Sequence, residues 1–84
     1  MYVKEIKVNR ILGPKEIQEL SNLAREYESD IKLQSKHYKI DVKSILGLLA
    51  LNLGQGSDVT VIAMGEDDKE AMDAISAYLQ SINV

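Results

Sequence analysis

Apolar residues recur at two different periods along this chain, and neither an all-helical nor an all-strand fold accommodates both. Tyr2, Lys4, Ile6 and Val8 alternate with Val3, Glu5 and Lys7, so Ile6 and Val8 mark the inward face of a first strand. After Gly13-Pro14 the spacing changes to three and four: Ile17, Leu20, Leu23, Ala24, Tyr27. That is one buried face of an amphipathic helix, with proline tolerated at its first position and Glu16 and Glu19 favouring the helix dipole. Ser29-Asp30 ends this pattern, and alternation returns at Ile31, Leu33, Tyr38, Ile40 and Val42. Two short strands joined near Ser35-Lys36-His37 form a hairpin, without the favoured Asn-Gly turn.

Ser44 opens a second helix, Gly54-Gln55-Gly56-Ser57 closes it, and Val59–Met64 is a β-branched central strand. Gly65 breaks the chain again. Asp67 and Glu70 have the spacing of a capping box with aspartate as the cap. Ala71, Ala74, Ile75, Tyr78, Leu79 and Ile82 then line a last helix. The order strand, helix, strand, strand, helix, strand, helix fits an antiparallel sheet with helices on one face.

Length and charge exclude several function classes. Eighty-four residues are expected to form one domain, 1–84, with a thin core. With no cysteine and one histidine there is no thiolate or multi-histidine metal site, and no cofactor is implied. The net charge is −3 and the basic residues are scattered, which argues against nucleic acid as a direct partner. The start of the chain lacks the continuous apolar segment of a signal peptide. The apolar run near Ile45–Leu53 is broken at Gly47 and Asn52 and is too short to span a membrane. The expected location is cytoplasmic.

The second helix carries the chemistry. Lys43-Ser44-Ile45-Leu46-Gly47-Leu48-Leu49-Ala50-Leu51 puts a hydroxyl at a helix start and leucines on several sides. At about 100° per residue, Leu51, Leu48, Ile45, Leu49, Leu53 and Leu46 cover an arc of roughly 220°, while a core-facing stripe needs little more than about 100°. Leu48 and Leu51 facing the sheet would leave Ile45, Leu46 and Leu49 partly exposed near Ser44. Cover by the other helices is the alternative.

This segment resembles the regulatory-serine segment of the HPr family, the small phosphocarriers of the bacterial phosphoenolpyruvate-dependent sugar phosphotransferase system. Gln55-Gly56-Ser57-Asp58-Val59-Thr60-Val61 and Gly65-Glu66-Asp67-Asp68-Lys69-Glu70-Ala71 are similar to that family too, and Tyr27 and Asp30 fall at matching distances before the serine. The resemblance implies an α/β (α+β) fold, the HPr-like open-faced two-layer sandwich. Its order is β-α-β-β-α-β-α, with a four-stranded antiparallel sheet and three helices on one face.

The family's phosphotransfer site is glycine, one residue, histidine, one residue, arginine and proline at the start of the first helix. Here the region reads Leu12-Gly13-Pro14-Lys15-Glu16-Ile17-Gln18. Matching the glycine puts Lys15 in the histidine's place, and counting back from Ser44 puts Gly13 there. Neither replaces the imidazole nucleophile: glycine has no side chain, and a lysine amine, normally protonated near neutral pH, does not do this job easily. No phosphocarrier activity and no enzymatic activity are expected. His37 reads as a hairpin-turn residue, with neither a helix start nor an arginine to make it a displaced acceptor.

On local sequence Ser44 is an N-cap. The resemblance adds phosphorylation by the family's ATP-dependent HPr serine kinase/phosphorylase, and the two roles are compatible. It implies partner contact through Ile45, Leu46 and Leu49; Lys43 adds a charge to that surface, and Lys15, expected to start the first helix near Ser44, either joins it or is a solvated lysine. The implied partners are a LacI-type transcriptional regulator or a metabolic enzyme. Together these readings describe a regulatory relative of the histidine-lacking HPr-like proteins of carbon catabolite repression. Two other readings stand beside it. One is a phosphorylation-independent interaction module that keeps the fold. The other is an acyl carrier, which Lys43 before the serine and the Val59–Met64 strand oppose.

Overall fold

A computed structural model describes residues 1–8, 12–36, 38–51 and 57–82, with the backbone only at Ser57. Its elements are β1 (Tyr2–Val8), α1 (Pro14–Ala24), β2 (Asp30–Ser35), β3 (Tyr38–Asp41), α2 (Ile45–Leu51), β4 (Ser57–Met64) and α3 (Asp68–Ser81). The strands form one sheet in the order β1-β4-β2-β3, and every neighbouring pair is antiparallel. This is the expected open-faced α+β sandwich.

The β-branched strand β4 lies inside the sheet, with hydrogen-bonded neighbours on both sides. Its registers align Ile6 with Val59, Leu33 with Val61, and Ile31 with Ala63. These residues and Val8 are buried, whereas the residues between them are exposed or half-buried. Alternation therefore assigns one face to the core and one to water. On the open face Val3, Ile62, Lys32 and Asp41 make one cross-strand row, closed by the Lys32–Asp41 ion pair at 4.0 Å.

The helices cover the inner face. Helix α3 packs on β1 and β4, α2 on β3, and α1 touches both other helices. Ile17, Leu20 and Ala24 of α1 and Ala71, Met72, Ile75 and Leu79 of α3 join the core. Ser21 and Ser76 are buried among them, although their polarity hides them from a hydrophobic pattern. Gly13 starts α1 with its N–H donating to the Glu16 carboxylate at 2.9 Å, and Pro14 follows where no amide partner is needed.

Several boundaries differ from the sequence pattern. Helix α1 stops at Ala24; Tyr27 lies beyond it in a turn, its N–H donating to the Ala24 carbonyl at 3.2 Å, half-buried against the core. The 3–4 spacing continued past the helix because a turn can also deliver a ring to the same core. Val42 lies past β3 yet is fully buried, and its N–H donates to the Ile31 carbonyl at 3.0 Å. Ile82 follows the end of α3. In the β2–β3 hairpin, Lys36 takes the left-handed conformation, φ 55°, that Asn or Gly would have supplied. His37 and the Gly54–Gly56 stop lie outside the described residues.

Asp67 is the clearest correction. It precedes α3 but its side chain caps nothing there. Its carboxylate instead accepts the N–H groups of Glu28 and Ser29, both at 2.9 Å, and the Ser29 hydroxyl, fastening the turn before β2 to the start of α3. Gly65 makes that approach possible. Its φ is +154°, and a Cβ there would sit 2.7 Å from the Ser29 Cα.

The Ser29 hydroxyl, and then the Glu28 N–H, hold the Asp67 carboxyl below the ordinary aspartate range. The folded pKa is thus below the unfolded one. The resulting stability is complete above the unfolded pKa and is lost as pH falls through the folded pKa. In urea titrations, the wild-type midpoint should fall below about pH 4 more steeply than that of Asp67→Asn. Parallel acid limbs would contradict the clamp.

Candidate functional site

The strand-to-helix turn after β3 is built around Lys43. Buried Val42 anchors it from below. The Lys43 N–H donates to Asp41 Oδ1 at 2.9 Å, and the Ser44 N–H to the Asp41 carbonyl at 3.0 Å, an aspartate-stabilised turn. The Lys43 carbonyl accepts from Ser21 Oγ at 2.9 Å and from Arg25 Nη2 at 3.2 Å. Ser21 and Arg25 are four apart, so the end of α1 presents both on one side. Lys43 Nζ donates to the Tyr27 carbonyl at 2.7 Å. Lys43, expected to face a partner, is therefore half-buried and tied back to the turn after α1.

This fastening sets where α2 begins. Ser44 is half-buried; its Oγ accepts the Gly47 N–H at 3.1 Å, and its carbonyl accepts the Leu48 N–H at 3.1 Å. Ser44 is an N-cap in the full sense, satisfying a donor that the first turn leaves unpaired. The leucines behind it divide between core and surface. Leu48 and Leu51 are buried, and Ile45 is half-buried against the core. Leu46 is 78% exposed and Leu49 50%. Spaced three apart, they are surface neighbours. The other helices do not cover them. Leu53 lies outside the described residues.

Lys15 is exposed at the second position of α1. The Ser44 end of α2 meets α1 at Ser21 and Arg25 instead, and the helix rise from Lys15 to Ser21 alone is about 9 Å. Lys15 lies at the opposite end of α1 from Arg25, the basic side chain that bonds the peptide leading into Ser44. Sequence reasoning passed over Arg25 because it follows the apolar stripe and belongs to no motif. Its i+4 relation to Ser21 becomes informative only once Ser21 is known to be buried.

Among the described residues no group of three or more His, Cys, Asp or Glu could hold a metal ion, and no helix is long and apolar enough to cross a membrane.

Residues 6–81 match the family described as the PTS HPr component phosphorylation site. The HPr-like protein Crh of Bacillus subtilis (strain 168) is 42% identical over 57 residues, covering 68% of this chain and 67% of the relative. Its counterpart in Halalkalibacterium halodurans is 39% identical over 57 residues, covering 68% of each. HPr-C-His from Thermoanaerobacter tengcongensis has the same fold, with a TM-score of 0.92 at 26% identity over 96% of this chain and 93% of that one. Crh of Bacillus subtilis, solved as a swapped, intertwined dimer, gives a TM-score of 0.79 at 33% identity, covering 90% and 87%.

Fold and matches define the class: a small open-faced sandwich of the sugar phosphotransferase system. The chain belongs to the HPr family, and within it resembles the HPr-like Crh proteins.

The capping role of Ser44 is testable on its own. Ser44→Ala should lower unfolding stability by about 1 kcal/mol, and Ser44→Asn, which also caps well, by only a few tenths. Urea denaturation measures both. Equal stability of Ser44→Ala and wild type would refute the cap.

Proposed function

We propose that this chain is a regulatory HPr-like protein that has no phosphocarrier role and acts through phosphorylation of Ser44 and protein binding in carbon catabolite regulation. It works in the cytoplasm, as a substrate and adaptor rather than an enzyme, and without a cofactor. The modifying enzyme is an HPr serine kinase/phosphorylase using ATP. The reader of the modified form is a LacI-type transcriptional regulator or a metabolic enzyme. The observation that carries this reading is the exposure of Leu46 and Leu49 on the same short helix that Ser44 caps.

Chemistry supports each part. Residues 13–15, at the start of α1, are Gly13, Pro14 and Lys15, which supply no imidazole, and a lysine amine is ordinarily protonated near neutral pH. A phosphate on Ser44 adds about −1.5 to −2 charge at neutral pH. Its interaction with the helix dipole is worth about 0.3–1 kcal/mol, too little to refold the domain. The modification therefore works by supplying a charge that a partner's arginine or lysine can pair, beside leucines that the partner can bury. Ile45, half-buried, forms the floor of that surface.

Incubation with an HPr serine kinase and ATP should add one phosphate to the wild-type chain and none to Ser44→Asn, which keeps the cap. Intact-protein mass spectrometry reads the result. Leu46→Asp should still be phosphorylated but should lose at least tenfold in affinity for a LacI-type regulator. Absence of phosphate on the wild type would remove the reading. Equal partner recovery by wild type and Ser44→Asn would favour the phosphorylation-independent interaction module instead.

A further inference from the structure

Arg25 ends α1 as its C-cap, with an exposed side chain. Its Nη2 donates to the Lys43 carbonyl at 3.2 Å. That carbonyl belongs to the peptide that leads into Ser44. Standard bond lengths then place Nη2 within about 6 Å of the Ser44 Cα. The guanidinium has five N–H donors in a planar fork, and the bond to Lys43 leaves the others free for a phosphate.

The other basic side chains described on α1 and at this turn are placed differently. The Lys43 ammonium donates to the Tyr27 carbonyl, and Lys15 stands at the far end of α1. The Asp41 carboxylate accepts the Lys43 N–H, so it repels an anion on Ser44 and favours placement toward α1.

We propose that Arg25 is this chain's own receptor for the phosphate on Ser44. The inference rests on the reading that Ser44 is phosphorylated. In that step Ser44 Oγ bonds to the γ-phosphorus of ATP, the bond to the ADP oxygen breaks, and the hydroxyl proton passes to a base of the kinase. The new dianion then pairs with the Arg25 guanidinium. The pair bridges the end of α1 to the start of α2 and orients the phosphate before any partner arrives. Arg25 acts as a positioning residue.

The test installs phosphoserine at position 44 during synthesis, so that it does not depend on a kinase. The phosphorus resonance is then titrated in wild type, Arg25→Gln, Arg25→Lys and Lys43→Gln. Arg25 is exposed and among the described residues makes one side-chain hydrogen bond, so Arg25→Gln retains the fold. A neighbouring cation favours the dianion and lowers its pKa. The wild-type midpoint should lie roughly 0.3–0.7 pH unit below that of Arg25→Gln, a twofold to fivefold difference in proton affinity. Arg25→Lys should fall between them, and Lys43→Gln should move less than Arg25→Gln. Coincident midpoints for wild type and Arg25→Gln, or a larger shift in Lys43→Gln, would overturn the inference. A kinase that fails to modify Ser44 would remove the parent reading while leaving this result intact.

Discussion

Lys43 is where the helical layer is fastened to the end of the β2–β3 hairpin. Its N–H, carbonyl and ammonium engage Asp41, Ser21 with Arg25, and Tyr27 respectively. The turn is thereby fixed against α1, and α2 has one place to begin. A helix of seven residues is too short to hold its own position by local hydrogen bonding. Its placement comes from this fastening at one end and from buried Leu48 and Leu51 along its length. The hydroxyl of Ser44 inherits its location from these contacts.

The same geometry explains why leucines reach the surface. The sheet offers one apolar face, and α1 and α3 already fill much of it with Ile17, Leu20, Ile75 and Leu79. Helix α2 touches β3 and α1, so only one side of it can be buried. Leu46 and Leu49 lie outside that contact. Exposed single leucines are ordinary on protein surfaces. Two adjacent ones, on a helix capped by the hydroxyl proposed to be phosphorylated, are the basis for reading this corner as a regulated surface. The proposed lack of a phosphocarrier role rests separately on Gly13, Pro14 and Lys15 at the start of α1.

Much of the fold was legible because binary patterning survives here almost unbroken. Ile6 and Val8, Ile31 and Leu33, and Val59 to Met64 read as strands because alternation and β-branching agree. The over-wide leucine arc of α2 also foretold which residues would be exposed. What escaped was polar and long-range. Ser21 and Ser76 are buried, one bonded to the Lys43 carbonyl and the other facing the Met72 sulfur at 3.4 Å. No periodicity of apolar residues reveals such partners. Asp67 carried the local signature of a cap and spends its carboxylate on Glu28 and Ser29, far earlier in the chain. That Arg25 at the end of α1 bonds the Lys43 carbonyl is likewise decided by tertiary docking.

The central claim is that the Ser44 hydroxyl is a phosphate acceptor in the living cell. Phosphopeptide mass spectrometry of this chain, isolated from its own cells during growth on a rapidly used sugar and on a poor one, tests it most directly. The account predicts a phosphate on Ser44 whose occupancy is higher on the rapidly used sugar. Unmodified Ser44 under both conditions, or a phosphate carried on another residue, would contradict it.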